Sequence, residues 1–308
     1  MVRTITLMTL LPMAASAYRV GIVGGGVVGG GIAQIITKKG FPGMEIKRVA
    51  VRDASKTRDW MKDVPGVEIT EDVSSIVGAD DIDLVVEVAG GVTDAKDIVW
   101  GALKAGQDVV TANKALIAKH LAEIEGLLSD ADASTGRSVQ FGLEAAVMGG
   151  IPVIHSLQND FVGDDITEIQ GIMNGCTNFM LCKMEAEGVS YENVLKEAQE
   201  LGYAEADPSL DVGGQDARSK LKILCRLAFG QDVVEDDIPC SGITEITETD
   251  FEYAQMEGGT IKLLGIAKTS SDGKKLSAFV SPAFVPSSAT LASISGATNA
   301  VDIKSSNP

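Results

Sequence analysis

Asp216 and Lys220 stand four residues apart in the stretch GYAEADPSLDVGGQDARSKL, Gly202 to Leu221, where Gly and Pro residues break a carboxylate-rich loop ahead of a helical pattern. On a helix, residues at that spacing share a face. The same row continues through the apolar Ile223 and Leu227, so the pair belongs to a face that goes on to be buried. Two chemistries are open to it. One is an ion pair that steadies the first turn of the helix, worth roughly 0.2 to 0.5 kcal/mol. The other is acid–base catalysis, because a partly desolvated lysine beside carboxylates can give and take a proton.

A second constellation lies near the start of the chain. Gly24-Gly25-Gly26-Val27-Val28-Gly29 spells G-x-G-x-x-G, which a chain with 34 glycines can meet by chance. Its flanks give it weight. The β-branched run Tyr18 to Val23 reads as a buried strand, and Ile32, Ile35 and Ile36 fall on one side of a following helix that Lys38, Lys39 and Gly40 stop. In such a turn Gly24 permits the bend, Gly26 lets backbone approach a pyrophosphate, and Gly29 lets the helix lie close to the strand. Val27 and Val28 then offer backbone N–H groups at a helix N-terminus that carries partial positive charge. The next strand, Ile46 to Val51, runs into Arg52-Asp53, with Lys56 and Arg58 close behind. An acidic residue here grips the ribose 2′-hydroxyl of NAD, whereas an arginine accepts the 2′-phosphate of NADP. Both are present, so NAD, NADP or dual use stays open.

These groups need a frame, and the apolar runs supply one. Strand patterns at Ile82 to Val88, Asp108 to Thr111 and Val139 to Leu143 alternate with helical patterns at Asp94 to Ala105 and Leu116 to Leu128. Such alternation predicts a parallel, doubly wound sheet. Ligands of these sheets bind beyond the carboxyl ends of the strands, where Ala89-Gly90-Gly91 and Ala112-Asn113-Lys114 fall, so Lys114 can reach a cofactor or substrate. Glu144 to Pro152, EAAVMGGIP, is a Gly-rich crossing. Its carbonyls and one carboxylate suit a weakly held hard cation, and a plain connection between domains fits equally well.

Beyond the crossing come a strand at Ile166 to Ile172, a helix opened by Asn174-Gly175-Cys176-Thr177-Asn178, a helix capped by Ser190 and closed by Gly202, and the Lys220 helix, which reaches Phe229. Thr260 to Lys268 and Leu276 to Val285, joined through Asp272-Gly273, predict a β-hairpin. The expected fold is α/β: a Rossmann-like parallel-sheet domain, residues 18–148, followed by an α+β domain, residues 149–308, with a mixed or antiparallel sheet. Residues 1–17 have the outline of a cleavable leader, with a basic residue, a short apolar run and an Ala15-Ser16-Ala17 end, or form a simple extension.

Composition narrows the partners. The 43 acidic against 26 basic residues give a net charge of −17, which repels nucleic-acid phosphates and anionic membranes, so neither is an expected partner. Four cysteines, Cys176, Cys182, Cys225 and Cys240, form no CxxC pair, which argues against a zinc site or a disulfide framework. Only two histidines, His120 and His155, are available for any imidazole mechanism.

Taken together, GGGVVG at 24–29, ANKALIA at 112–118, EAAVMGGIP at 144–152, GIMNGCTNFM at 171–180, the Gly202 to Leu221 stretch, GIT at 242–244 and SGATNAV at 295–301 resemble the homoserine dehydrogenases. The likeness covers nearly all of the chain from Tyr18 onward. It implies NAD(P)-dependent interconversion of L-homoserine and L-aspartate 4-semialdehyde, a step in threonine, methionine and isoleucine biosynthesis. By motif position it implies Lys220 as the proton donor with Asp216 beside it. Glu205, Asp216 and Lys114 become substrate contacts, and Gly24, Gly26, Val27, Val28, Gly29, Arg52, Lys114 and Gly202 cofactor contacts. It further implies a sodium site of Glu144 with the carbonyls of Val147, Gly149 and Ile151, and a homodimer through the second-domain sheet. The location would be the cytoplasm of a prokaryote, or a plastid if residues 1–17 are a true leader.

Two departures from the family pattern stand out. Cys176 interrupts the family's NGTTN-like segment, and the sequence ends at Pro308, where the family pattern continues into a GxGAG segment and a helix. On that ground part of the cofactor site is expected to be missing. Two other readings stay open: a dinucleotide-binding relative without turnover, and an oxidoreductase for another small amino-acid substrate.

Overall fold

A computed structural model describes residues 17–41 and 43–307, so the expected leader lies outside the described residues apart from Ala17. The chain divides into two compact units, the first ending at Ala146 and the second beginning at Val147.

In the first unit six strands form one parallel sheet: β1 (Tyr18–Val23), β2 (Met44–Ala50), β3 (Glu68–Thr70), β4 (Leu84–Glu87), β5 (Asp108–Thr111) and β6 (Phe141–Gly142). Their order is β3-β2-β1-β4-β5-β6. This is the doubly wound dinucleotide-binding order, which reverses direction between β1 and β4 and opens a crevice at the carboxyl ends of those two strands. Val20, Ile22, Val49, Leu84 and Val86 are buried on the inner strands, as expected of a sheet covered on both faces. The helices are α1 (Val27–Lys39), α2 (Thr93–Lys104) and α3 (Lys114–Thr135). Gly40, in the left-handed region, ends α1 as the sequence predicts.

Several boundaries move. β4 is shorter than residues 82–88, β6 shrinks to two residues, and α3 starts at Lys114 and runs past Leu128 to Thr135. The N-terminal extension has a local cause: Asn113 Oδ1 accepts the Leu116 N–H and caps the helix.

The second unit opens with the single turn α4 (Val153–His155) and then builds an antiparallel sheet from β7 (Ile166–Ile172), β8 (Gly259–Thr269), β9 (Leu276–Pro286) and β10 (Ala300–Ser305). The order is β10-β7-β8-β9, and the predicted hairpin is β8–β9, paired from Gly259↔Pro286 to Thr269↔Leu276. Between β7 and β8 lie α5 (Gly175–Glu187), α6 (Tyr191–Glu200), α7 (Ser209–Val212), α8 (Gln215–Phe229) and α9 (Glu248–Met256). Ser190 occupies the N-cap of α6 but makes no side-chain capping bond, contrary to the role expected of it. Among the described residues no helix is long and apolar enough to cross a membrane.

Candidate active site

The first unit supplies a candidate anion seat. Gly24 has φ +116°, and a Cβ there would lie 2.4 Å from the Val88 carbonyl oxygen; at Gly29 it would lie 1.8 Å from the Gly24 carbonyl oxygen. Both glycines are therefore required by backbone closing on backbone. Gly26 differs, since a Cβ there meets nothing within 4 Å, and Val27 beside it is 95% exposed. The start of α1 thus presents open backbone with no acidic residue in its first turn, which fits a pyrophosphate held by N–H groups. Sequence reading missed a support for this turn. Trp60 donates from Nε1 to the Gly25 carbonyl (3.0 Å) and its ring fills the space where a Gly30 side chain would stand.

Arg52 and Asp53 are exposed just beyond β2. Asp53 Oδ1 accepts the Ser55 hydroxyl (2.6 Å) and the Ser55 N–H (2.9 Å), which hold its carboxyl below the usual carboxylate range. At the ends of β4 and β5, the buried Glu87 accepts the Thr111 hydroxyl (2.6 Å) and the Ala89 N–H (2.9 Å), and Asn113 Nδ2 donates to the Gly91 carbonyl (2.7 Å). This network fixes the two loops, and Lys114, at the first turn of α3, follows directly from it.

The second unit holds the candidate acid–base pair. Lys220 Nζ donates to Asp216 Oδ2 (2.7 Å) and to the Met173 carbonyl oxygen (2.7 Å). Their side chains are 15% and 2% exposed, so the pair is withdrawn from solvent, as the apolar row on α8 predicts. Asp216 lies in the first turn of α8, where the helix dipole favours a negative charge. Asn174 and Asp211 join this group, and neither was singled out from sequence. Asn174 Nδ2 donates to Asp216 Oδ2 (2.9 Å) and to Asp211 Oδ1 (2.7 Å). The adjacent Cys176 thiol is pushed up to about 11, first by burial and then by Asp211 and Asp216, so it remains neutral at ordinary pH.

The other expected residues lie on other segments of the chain. Glu205 is exposed on the loop between α6 and α7, where its backbone carbonyl accepts a bond from Gln199 Nε2 (3.2 Å). Gly202 lies in the left-handed region (φ +77°) at the end of α6. Glu144 sits in a short 3-10 turn at the end of the first unit, and Val147, Gly149 and Ile151 open the second. Ile151's carbonyl already accepts the Val153 N–H (2.8 Å), which leaves one lone pair for a cation. Met148, between them, has φ +47°, a strained value for a side-chain-bearing residue.

Two family models match the chain: one described as homoserine dehydrogenase over residues 152–307, and one described as the homoserine dehydrogenase NAD binding domain over residues 24–140. A homoserine dehydrogenase of Corynebacterium glutamicum is 42% identical over 299 residues, covering 94% of this chain. The chain spans 65% of the length of that relative. A crystal structure of a homoserine dehydrogenase from Thiobacillus denitrificans superposes with a TM-score of 0.87 at 36% identity, covering 94% of this chain and 67% of the other. A hyperthermophilic archaeal homoserine dehydrogenase in complex with NADPH superposes with a TM-score of 0.75 at 26% identity, covering 94% of this chain and 89% of the other.

Proposed function

The chain belongs to the homoserine dehydrogenase family, and we propose that it catalyses the NAD(P)-dependent interconversion of L-homoserine and L-aspartate 4-semialdehyde. The nicotinamide cofactor, when bound, supplies or accepts the hydride. The first unit contributes the backbone seat at Gly24, Gly26, Val27, Val28 and Gly29. The second contributes the proton. In the reducing direction the Lys220 ammonium donates to the oxygen that becomes the alcohol, and in the oxidising direction the neutral amine takes the hydroxyl proton back. Asp216 balances the charge of the ammonium, and the Met173 carbonyl fixes its direction. Two N–H groups of Lys220 are held in this way, and the third is the one a substrate oxygen would take. Glu205 and Asp216 suit the substrate's α-ammonium.

The observation that carries this reading is the withdrawn, doubly tethered Lys220 at the head of α8. Lys220→Ala should lower homoserine-dependent NAD(P) reduction by roughly 10²- to 10⁴-fold, the usual contribution of a positioned acid–base group, while NAD(P)H binding stays near that of the parent. Retained turnover would sink the assignment, and a parent chain that binds nucleotide without turning over homoserine would favour a non-catalytic relative.

Three finer points belong to the same proposal. Arg52 and Asp53 together suit use of both NADP and NAD, and the NADPH complex of the archaeal relative supports the former. Glu144 with the Val147, Gly149 and Ile151 carbonyls would hold sodium; rates in sodium and potassium buffers compared with a large organic cation test this. A second copy would dock through the β8–β9 region, where Phe279 and Phe284 are exposed on β9, and light scattering reads the resulting mass.

A further inference from the structure

We propose that Asn174 is a positioning residue for the acid–base pair: its side-chain amide holds Asp211 and Asp216 together around Lys220 while its oxygen caps α5. The inference rests on the reading of Lys220 as the proton carrier. Asn174 is 5% exposed, and both hydrogens of its amide are used, one on each carboxylate. Its Oδ1 accepts the Thr177 N–H (2.8 Å), which settles which end of the amide is nitrogen. The preceding residue, Met173, gives its carbonyl to Lys220 Nζ. Two consecutive residues at the end of β7 therefore hold both members of a pair that sits on α8.

The physical need is clear. Two carboxylates brought together repel, and one of them takes up a proton unless donors favour the charged form. A neutral amide with two N–H groups supplies those donors without adding charge that would compete with Lys220. The titratable groups on the elements packed around the pair are engaged elsewhere. Cys176 on α5 is a neutral thiol, and Glu235 and Asp236 beside α8 are taken by Ser219 and Arg218. Glu168 on β7 pairs with Lys268 and Lys304, and Lys262 on β8 donates to Cys182 and the Ile294 carbonyl.

Ser and Asp are both good N-caps, so Asn174→Ser and Asn174→Asp in the full chain keep the start of α5. Serine is too short to bridge the carboxylates, and aspartate replaces the shared donor with a third negative charge. In Asn174→Asp the side-chain nitrogen signal of Lys220 is expected to move from its parent position, because a third negative charge replaces the shared donor beside it. Nitrogen NMR of the lysine side chains follows this, with the signal assigned by its loss in Lys220→Arg, and it requires no turnover. In Asn174→Ser, kcat for homoserine oxidation should fall roughly tenfold with the urea midpoint unchanged.

A shift in either readout at unchanged stability supports the positioning role. Parent-like values in both variants mean that Asn174 is a helix cap only, and the inference is overturned. Lys220→Ala separates this from the premise. An active Lys220→Ala chain removes the proton-carrier reading and the inference with it, whereas an inactive one beside parent-like Asn174 variants overturns the inference alone.

Discussion

At Gly29 a methyl group would lie 1.8 Å from the Gly24 carbonyl oxygen and 3.1 Å from Val88 Cγ2. The first of these is a backbone atom that cannot swing aside, so either the turn or the start of α1 must move. Overpacking of this kind costs roughly 1 to 3 kcal/mol. The displaced element is also the one whose N–H groups would meet the cofactor phosphates in the proposed placement, so binding should fall with stability. Since about 1.4 kcal/mol is a factor of ten, Gly29→Ala is expected to raise the Kd for NAD(P)H roughly tenfold or more and to lower the urea midpoint. Gly26→Ala separates the two effects. Gly26 has φ −77°, which alanine adopts, and a methyl there meets nothing within 4 Å. The weaker N-cap preference of alanine and its lower unfolded-state entropy oppose one another, each amounting to about 1 kcal/mol or less. Stability should therefore stay near that of the parent, while the methyl fills the space where a pyrophosphate would meet the backbone and raises Kd by about tenfold. Fluorescence titration with NADPH and NADH beside urea denaturation reads both quantities. A Gly26→Ala chain that binds nucleotide as tightly as the parent refutes this placement of the cofactor.

Cofactor choice should divide between neighbours: Asp53→Ala raises the Kd for NADH about tenfold with little change for NADPH, and Arg52→Ala does the reverse, both read by the same titration. Glu168 tests the sheet of the second unit. Lys268 and Lys304 hold its carboxyl below the usual range, with the Lys268 hydrogen bond the larger cause, and its side chain is mostly buried between them. A carboxylate whose folded-state value is depressed stabilises the fold above its unfolded value, and that stability disappears as pH falls through the folded value. Glu168→Gln should therefore cost about 1 kcal/mol at pH 7, and the difference from the parent should begin to shrink as pH falls below about 4 and vanish once pH passes below the depressed folded-state value. A difference that persists unchanged at pH 3 would show that packing, not charge, is responsible.

The parts of this protein that sequence reveals are those whose information is local. The turn after β1 is legible because strand, glycine spacing and helix period adjoin one another. The Asp216–Lys220 pair is legible because the α-helix itself sets a four-residue neighbour. The edge strand β10 was not foreseen, since it is defined by pairing with β7 more than a hundred residues earlier, as Ala300↔Ile172 shows. Trp60 reaches Gly25 across 35 residues, and no periodicity announces that contact. The helix α9 had a readable signal, because Thr247 and Asp250 form a reciprocal capping box. Asn174 was legible as a helix start, but not as a bridge to Asp216, 42 residues away.

That last gap bears on the two chemistries open to the pair. A lysine and a carboxylate one turn apart on an exposed helix are mobile, screened by water and worth a few tenths of a kcal/mol. Here the carboxylate side chain is 2% exposed and accepts from both Lys220 and Asn174, and the ammonium is tied to a main-chain carbonyl outside its own helix. Burial of a charged pair offers little stability by itself, because desolvation opposes the Coulombic gain unless further hydrogen bonds satisfy it. Such an arrangement is costly for a device that only steadies the start of α8. Its distinguishing property is direction: two tethers at 2.7 Å fix where the remaining N–H of Lys220 points, and a proton carrier needs that geometry whereas a helix-stabilising ion pair does not.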